Sequence, residues 1–397
     1  MFFNHTYLGG KLEALGKIFN FQFSIFNLIV CLLALCLAAC GNRQGMSPSE
    51  GGDTLAFSYA ERISIVQYDD YTVVKLQNPW DTLKTLHTYV LVDREKTLPP
   101  HLPKGTIIRT PLQKAVVFTS VHSSLVDVLG KGSSIGGVCD LKYIQLPFIQ
   151  DGVAKGTVMD CGDAMNPDIE KIIDLHPDAL MLSPFNNNGG YGRVEELDIP
   201  IVECADYMET SALGRAEWMK FYGLLFGAFE SAEQLFEEVS GNYERMKALA
   251  ASAATHPKVA VDLKMGSTWY MPGGRSTQGR LLVDAGADYP FAHTDESGSI
   301  PLSVEVVMDH CADADVWMFK ASVDTEVTLR YLASDYEGYT HLKAYKDGNV
   351  YGCNTTQVAY YEEAPYRPDY LLGDMIQIFH PEIEGLEGLR YYSKIDN

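Results

Sequence analysis

The side chains that could do chemistry are thinly spread in this 397-residue chain. It carries no G-x-S-x-G elbow and no H-E-x-x-H, and Gly130-Lys131-Gly132-Ser133 lacks the spacing of a phosphate loop. None of the ten histidines stands three or four residues from another, so no helix face offers two imidazoles to a metal. Asp160, Asp163 and Glu203 could supply paired carboxylates for glycoside hydrolysis, though helix caps and solvated turns account for such acids equally well. What binding would need is better represented. Gly266 to Arg275 (GSTWYMPGGR) follows a strand-like run; Trp269 and Tyr270 would give flat apolar surface, and Arg275 a cationic fork for anionic oxygens. Ser120 and His122 follow another such run, Phe185 and Asn186 a third, and Lys320 a fourth. Loops at the carboxyl ends of parallel strands are where α/β proteins hold ligands.

The elements that must position these residues alternate. Ala115–Thr119, Ile135–Val138, Ala179–Leu182 and Ile201–Glu203 are short apolar runs of buried-strand type, separated by helix-like stretches at 123–130 and 167–175. The stretch 212–226 is an amphipathic helix with Trp218, Phe221, Tyr222 and Leu225 on its apolar side. The same grammar returns in Val259–Leu263, 278–285, Val304–His310, Val316–Phe319, Val350–Gly352 and Asp369–Phe379. Between the halves lies one long helix, Glu230 to Ala254, with Leu235, Val239, Tyr243, Met246 and Ala250 on one face and Ser231/Gln234 as its capping box. Gly241 costs that helix roughly 1 kcal/mol. Upstream, 62–67, 71–77, 86–93 and 105–109 read as strands of a β-rich region. A weak internal echo links IEKIIDLHPDALML (169–182) to VEVVMDHCADADVWMF (304–319), as two lobes of one local design would.

Composition narrows the partners. A formal net charge of −21 argues against nucleic acid, which needs a basic face. Lys11 and Lys17 precede the apolar run Phe21 to Ala39, a leader of signal-peptide type. Of the eight cysteines, Cys31 and Cys36 lie in that leader and Cys40 follows it. Cys139, Cys161, Cys204, Cys311 and Cys353 remain, an odd number without a C-x-x-C. A Cys139–Cys161 disulfide and buried free thiols are both open.

Leu37-Ala38-Ala39-Cys40 resembles the bacterial lipoprotein box, which implies lipid on Cys40 and a membrane-anchored place in the cell envelope. From about Lys114 to Glu382 the chain resembles the substrate-binding lipoproteins of ABC importers for iron complexes and cobalamin, the helical-backbone or class III binding proteins. The resemblance is carried by VVFTSVHSSLVDVLG, NPDIEKIIDLHPDALML, ALGRAEWMKFYGLLFG with the long helix behind it, and LSVEVVMDHCADADVWMF with a terminal HPE. It implies an α/β fold of two Rossmann-like lobes joined by one rigid helix, with an added β-rich region before them. The expected division is leader 1–40, tether 41–54, β-rich region 55–113, N-terminal lobe 114–229, connecting helix 230–255, and C-terminal lobe and tail 256–397. It implies a monomeric receptor without enzymatic activity or cofactor. The receptor would bind an iron chelate (siderophore or haem), or alternatively a cobalamin, in the inter-lobe cleft and pass it to a membrane permease. A cell-envelope hydrolase using the same cleft is the alternative of another class. Ser120, His122, Phe185, Asn186, Trp269, Tyr270, Arg275 and Lys320 are the expected ligand contacts, with Trp269, Tyr270 and Arg275 facing Phe185 and His122. Glu170 and Glu305, one per lobe, match the family's permease-docking glutamates.

Overall fold

The computed structural model describes residues 51–186 and 190–397. The leader, Cys40, and Asn187 and Asn188 of the third binding loop lie outside them. Five strands open the fold: β1 (Asp53–Leu55), β2 (Ile63–Gln67), β3 (Thr72–Gln77), β4 (Thr85–Asp93) and β5 (Thr106–Thr110). They pair in sequence order, antiparallel except for the parallel β4–β5 pair. Their inner face is not a separate core. Ile65, Leu76, Tyr89 and Ile108 pack in one cluster with Phe221, Leu225 and Phe226 of the following lobe.

The N-terminal lobe is a parallel sheet in the order β10-β9-β6-β7-β8, built from β6 (Ala115–Val117), β7 (Ile135–Val138), β8 (Met159–Asp160), β9 (Ala179–Leu182) and β10 (Ile201–Glu203). Such strands are covered on both faces, which is why β6 and β9 are unbroken apolar runs, buried at every position. The chain runs from β6 outward through α1 (Ser120–Val128), β7, α2 (Pro147–Lys155), β8 and α3 (Ile169–Leu175). It then returns to β9 on the other side of β6. That reversal between β6 and β9 is the switch point where open α/β sheets take ligands.

The amphipathic stretch after β10 is two helices, α4 (Ala212–Glu217) and α5 (Met219–Phe226), broken at Trp218. The Trp218 indole is wholly buried and donates to Glu209. The connecting helix α6 spans Phe229–Ala251, about 34 Å at ~1.5 Å per residue. It buries Ala232, Phe236, Val239, Tyr243 and Ala250 against α5 and, further on, α10 (Pro368–Phe379). The Ser231/Gln234 capping box does not form: the helix starts three residues earlier, at an Ala228 cap with no side-chain bond.

The second lobe has three parallel strands, β11 (Val259–Val261), β15 (Val316–Ala321) and β16 (Val350–Asn354), and a short antiparallel edge, β17 (Ser393–Lys394). The stretch 268–272, expected as a binding loop, is instead strand β13 (Thr268–Pro272). It sits in an antiparallel sheet between β12 (Lys264–Met265) and β14 (Ser299–Ser303). Its residues alternate, so Trp269 and Met271 turn inward and Tyr270 outward. The helices α7 (Thr277–Asp284), α8 (Val304–Cys311) and α9 (Tyr360–Glu363) follow β13, β14 and β16. All five cysteines of the described residues are free and buried, so Cys139 and Cys161 form no disulfide. Burial dominates the rise of the Cys161 thiol to about 11, which keeps it protonated.

Candidate ligand site between the lobes

Residues from both sides of the molecule enclose a cavity of about 210 Å³. One wall is α4, through Ala212 and Arg215. The other comes from the second lobe: Lys320 from β15, Gln278 and Leu281 from α7, Tyr360, Tyr361 and Pro365 on and after α9, and Leu371 and Met375 of α10. The lining is mainly aliphatic and aromatic, with one cation from each wall.

Arg215 is held by a buried carboxylate. Asp206, without solvent exposure, accepts from Arg215 Nε at 3.0 Å and from the Tyr222 hydroxyl at 2.8 Å, and pairs with His122 Nε2 at 2.8 Å. Burial alone would strip the proton from His122, but the adjoining Cys204 sulfur and Asp206 carboxylate outweigh it and push its pKa up to about 10. Burial works against the Asp206 charge as well, and His122, Arg215 and Tyr222 overcome it, bringing its pKa down to about 2. Two cations therefore share one anion. Among the described residues only the Nε of Arg215 is engaged, which leaves its two terminal nitrogens for a ligand anion.

Lys320 is arranged differently. Its Nζ lies 2.7 Å from Asp262 and 3.3 Å from Gln278 Oε1. Asp262, directly after β11, has a left-handed backbone (φ 58°), a conformation that Asp tolerates better than most residues. Burial would lower the Lys320 pKa, yet Asp262 holds it above its ordinary value, so the ammonium stays charged but largely neutralised. Tyr360 lies beneath it, 6.0 Å from Nζ to ring centroid, and burial pushes its phenol up to about 12, leaving an O–H donor. The cavity can thus neutralise one anionic group, donate a phenolic hydrogen bond and cover an apolar body.

Several expected contacts lie elsewhere. Trp269 has no exposed surface. Its indole donates to the Val261 carbonyl, and its ring packs on Trp317 and Tyr339 in the second lobe's core, so the expectation that it faces the cleft is corrected. His122 is also buried and committed to Asp206, so it supports Arg215 where a ligand contact was expected. Tyr270 is exposed on the outer face of β13, and Arg275 is exposed in the turn before α7; neither lines the cavity. Ser120 is half-buried at the start of α1, behind its Thr119 cap. Phe185 and Asn186 are exposed after β9, with Phe185 edge-on to Tyr191 at 6.5 Å. Of the eight expected contacts, only Lys320 lines the cavity. Arg215 and Tyr360 were missed: Arg215 sits inside a helix whose pattern reads as core, and Tyr360 on a four-residue helix. Asp160, Asp163 and Glu203 do not line it either, and Glu203 is taken up by Tyr191 at 2.7 Å and His87 at 3.2 Å.

Glu170 and Glu305 occupy equivalent places. Each is exposed and is the second residue of its helix, α3 or α8, behind a capping Asp168 or Ser303. The Glu305 backbone N–H and the Ser303 hydroxyl hold its carboxyl below the usual range.

The pattern of a family described as "Periplasmic binding protein" matches residues 137–356. An uncharacterized lipoprotein of Methanocaldococcus jannaschii is 26% identical over 361 residues, covering 85% of this chain and 84% of the relative. A second uncharacterized lipoprotein of that organism is 24% identical over 353 residues, covering 84% and 87%. Among solved structures, a possible iron-binding (periplasmic solute-binding) protein from Staphylococcus epidermidis superposes with a TM-score of 0.54 at 17% identity, covering 68% of this chain and all (100%) of that one. A periplasmic heme-binding protein from Pseudomonas aeruginosa gives 0.53 at 16% identity, covering 72% and 99%. With more than half of its length under that pattern and two lobes meeting across one long helix, the chain belongs to the periplasmic binding protein family.

Proposed function

We propose that this protein is the lipid-anchored solute receptor of an ABC importer. In this reading it takes up an iron chelate, a siderophore or haem, between its lobes and passes it to the permease through Glu170 and Glu305. The observation that carries the reading is the two-walled cavity, with Arg215 on one side and Lys320 and Tyr360 on the other. A site divided between lobes can sense a ligand by closing on it. The free edge of Arg215 suits a carboxylate or hydroxamate oxygen, since a guanidinium binds planar anionic groups through two parallel bonds. The fold shared with a periplasmic heme-binding protein and a possible iron-binding one supports the ligand class. Cys40 would carry the lipid and hold the receptor on the outer side of the membrane.

The test is stoichiometric binding without turnover. Residues 41–397 are titrated with haem, several ferric siderophores and cobalamins, following tryptophan fluorescence. At least one iron chelate should bind one-to-one and be recovered unchanged, and Arg215→Ala should weaken it by ~1.5–3 kcal/mol, the worth of a hydrogen bond to a charged group. Binding of a cobalamin alone would replace the ligand class. A ligand consumed with turnover would replace the receptor with an enzyme.

A further inference from the structure

The cavity is small for the work proposed for it, and Tyr360, Tyr361, Ala364 and Pro365 of one segment form part of its lining. At about 210 Å³ it falls short of the ~300–1,000 Å³ typical of pockets that bury drug-sized ligands. Haem and ferric chelates are no smaller than that class. Residues 355–367 leave β16 of the second lobe, form α9 and return to α10. Both ends of the segment are fixed. The Thr355 and Thr356 hydroxyls donate to the carbonyls of Ala321 and Val323 at 3.2 and 3.0 Å. Arg367 pairs with Glu238 of α6 at 3.1 Å and with buried Asp369 at 2.7 Å.

Between those ends the segment crosses to the other lobe. Helix α9 packs on α1, and the Gln145 amide donates to the Thr356 carbonyl at 2.9 Å. Tyr360 belongs to the second lobe's core, whereas Tyr366 is buried in the core of the first. Tyr366 is edge-on to His122 and Tyr222, at 6.2 and 6.3 Å between centroids. Those are two of the three partners of Asp206, and the third is the ligand-facing Arg215.

We infer that residues 357–366 are a gate on the inter-lobe cavity and that Tyr366 is the plug holding it shut against the N-terminal lobe. The inference rests on the receptor reading above and adds a conformational step to it. A chelate enters only the molecules whose plug is out, so the apparent affinity is the intrinsic affinity reduced by that fraction. The plug rests on His122 and Tyr222, which share the Asp206 carboxylate with the anchor Arg215, so the closing contact lies one residue from the ligand-sensing one.

Cys204 lies beside both His122 and Tyr366 and is wholly buried, so it reports on the plug independently of any ligand. Cys139 and Cys161, in a separate cluster, serve as controls. In residues 41–397, a pulse of N-ethylmaleimide is read thiol by thiol by mass spectrometry, and binding of haem and a ferric trihydroxamate is followed by stopped flow. Tyr366→Ala should label Cys204 at least tenfold faster with Cys139 and Cys161 unchanged, and should bind the chelate at least tenfold faster. Tyr366→Phe, which keeps the plug, should behave as wild type in both. Gln145→Cys with Glu362→Cys, a gate residue that accepts from the Gln145 backbone N–H, bridged by a short bismaleimide, should lose chelate binding. Cys204 labelling at the wild-type rate in Tyr366→Ala would overturn the gate, and so would bridged protein that binds as fast as wild type. If all five thiols speed up together, the bridged form decides. Absence of chelate binding in every form sinks the receptor reading instead, while Cys204 labelling still answers for the gate.

Discussion

Asp206 shows how much a single buried acid can control. Its charge has no solvent and depends on His122, Arg215 and Tyr222, so removing one partner is expensive: His122→Ala should cost about 3–5 kcal/mol, as for other broken buried pairs. The pH dependence follows from the two shifts. His122 holds its proton more tightly folded than unfolded, so its contribution is complete below ~6.5 and is lost as pH rises toward about 10. Asp206 holds its proton less tightly folded, so its contribution is complete above ~4 and is lost as pH falls toward about 2. The urea midpoint should therefore be flat between these limits and fall on both sides, and His122→Gln should flatten the alkaline limb. An alkaline limb that survives in His122→Gln assigns it to another group. None of this was visible in the sequence, where Asp206 is one acid between an alanine and a tyrosine. Lys320 was visible because a strand end next to a turn is a place with a known role. Trp269 was misjudged because an aromatic beside Gly and Pro has the composition of a loop, although the in-out alternation of Trp269, Tyr270 and Met271 already carried the strand signal.

At the scale of elements, the segment before β2 is stapled to the lobe by two acids. Glu217, wholly buried, accepts the backbone N–H groups of Ser58, Tyr59 and Ala60 at 2.8–2.9 Å and also pairs with Lys220. Glu209 accepts those of Glu61 and Arg62 together with the Trp218 indole. Glu217→Ala would strand those amides, each costing about 1–3 kcal/mol where water cannot reach it. Amides 58–60 should then exchange at least tenfold faster, with a matching drop in the urea midpoint. Unchanged exchange would mean that the surrounding packing holds the segment alone. The strands β6 and β9 and the course of α6 were legible because a doubly covered strand must be continuously apolar and a long helix must repeat every 3.6 residues. The start of α6 and the break at Trp218 were not: Ala228 caps the first without a side-chain bond, and the second sits at an indole held by Glu209. The staples lie in the same category: no local pattern distinguishes an acid that caps its own helix from one that holds a segment some 150 residues away.

For the whole molecule, two features decide how the receptor would work. Glu170 and Glu305 stand at matching places on the two lobes, and the local explanation for each, a carboxylate in a first helical turn, is worth only ~0.3–1 kcal/mol. Docking needs both. Changing the pair to alanine should leave chelate affinity intact while uptake through the cognate permease falls at least tenfold. The wild-type contact should weaken with salt, since exposed charges are screened over about 10 Å at 0.1 M. Normal uptake by the double variant would return both residues to simple helix stabilisation. The second feature is the glycine midway along α6. Gly241 is exposed, and the position its Cβ would take has no atom within 4 Å, so an alanine would fit and would favour the helix by roughly 1 kcal/mol. The joint between the lobes is thus built below its attainable stiffness. In mechanical terms it is a beam with its weakest section at mid-span, so a load that rocked one lobe against the other would gather its curvature at Gly241.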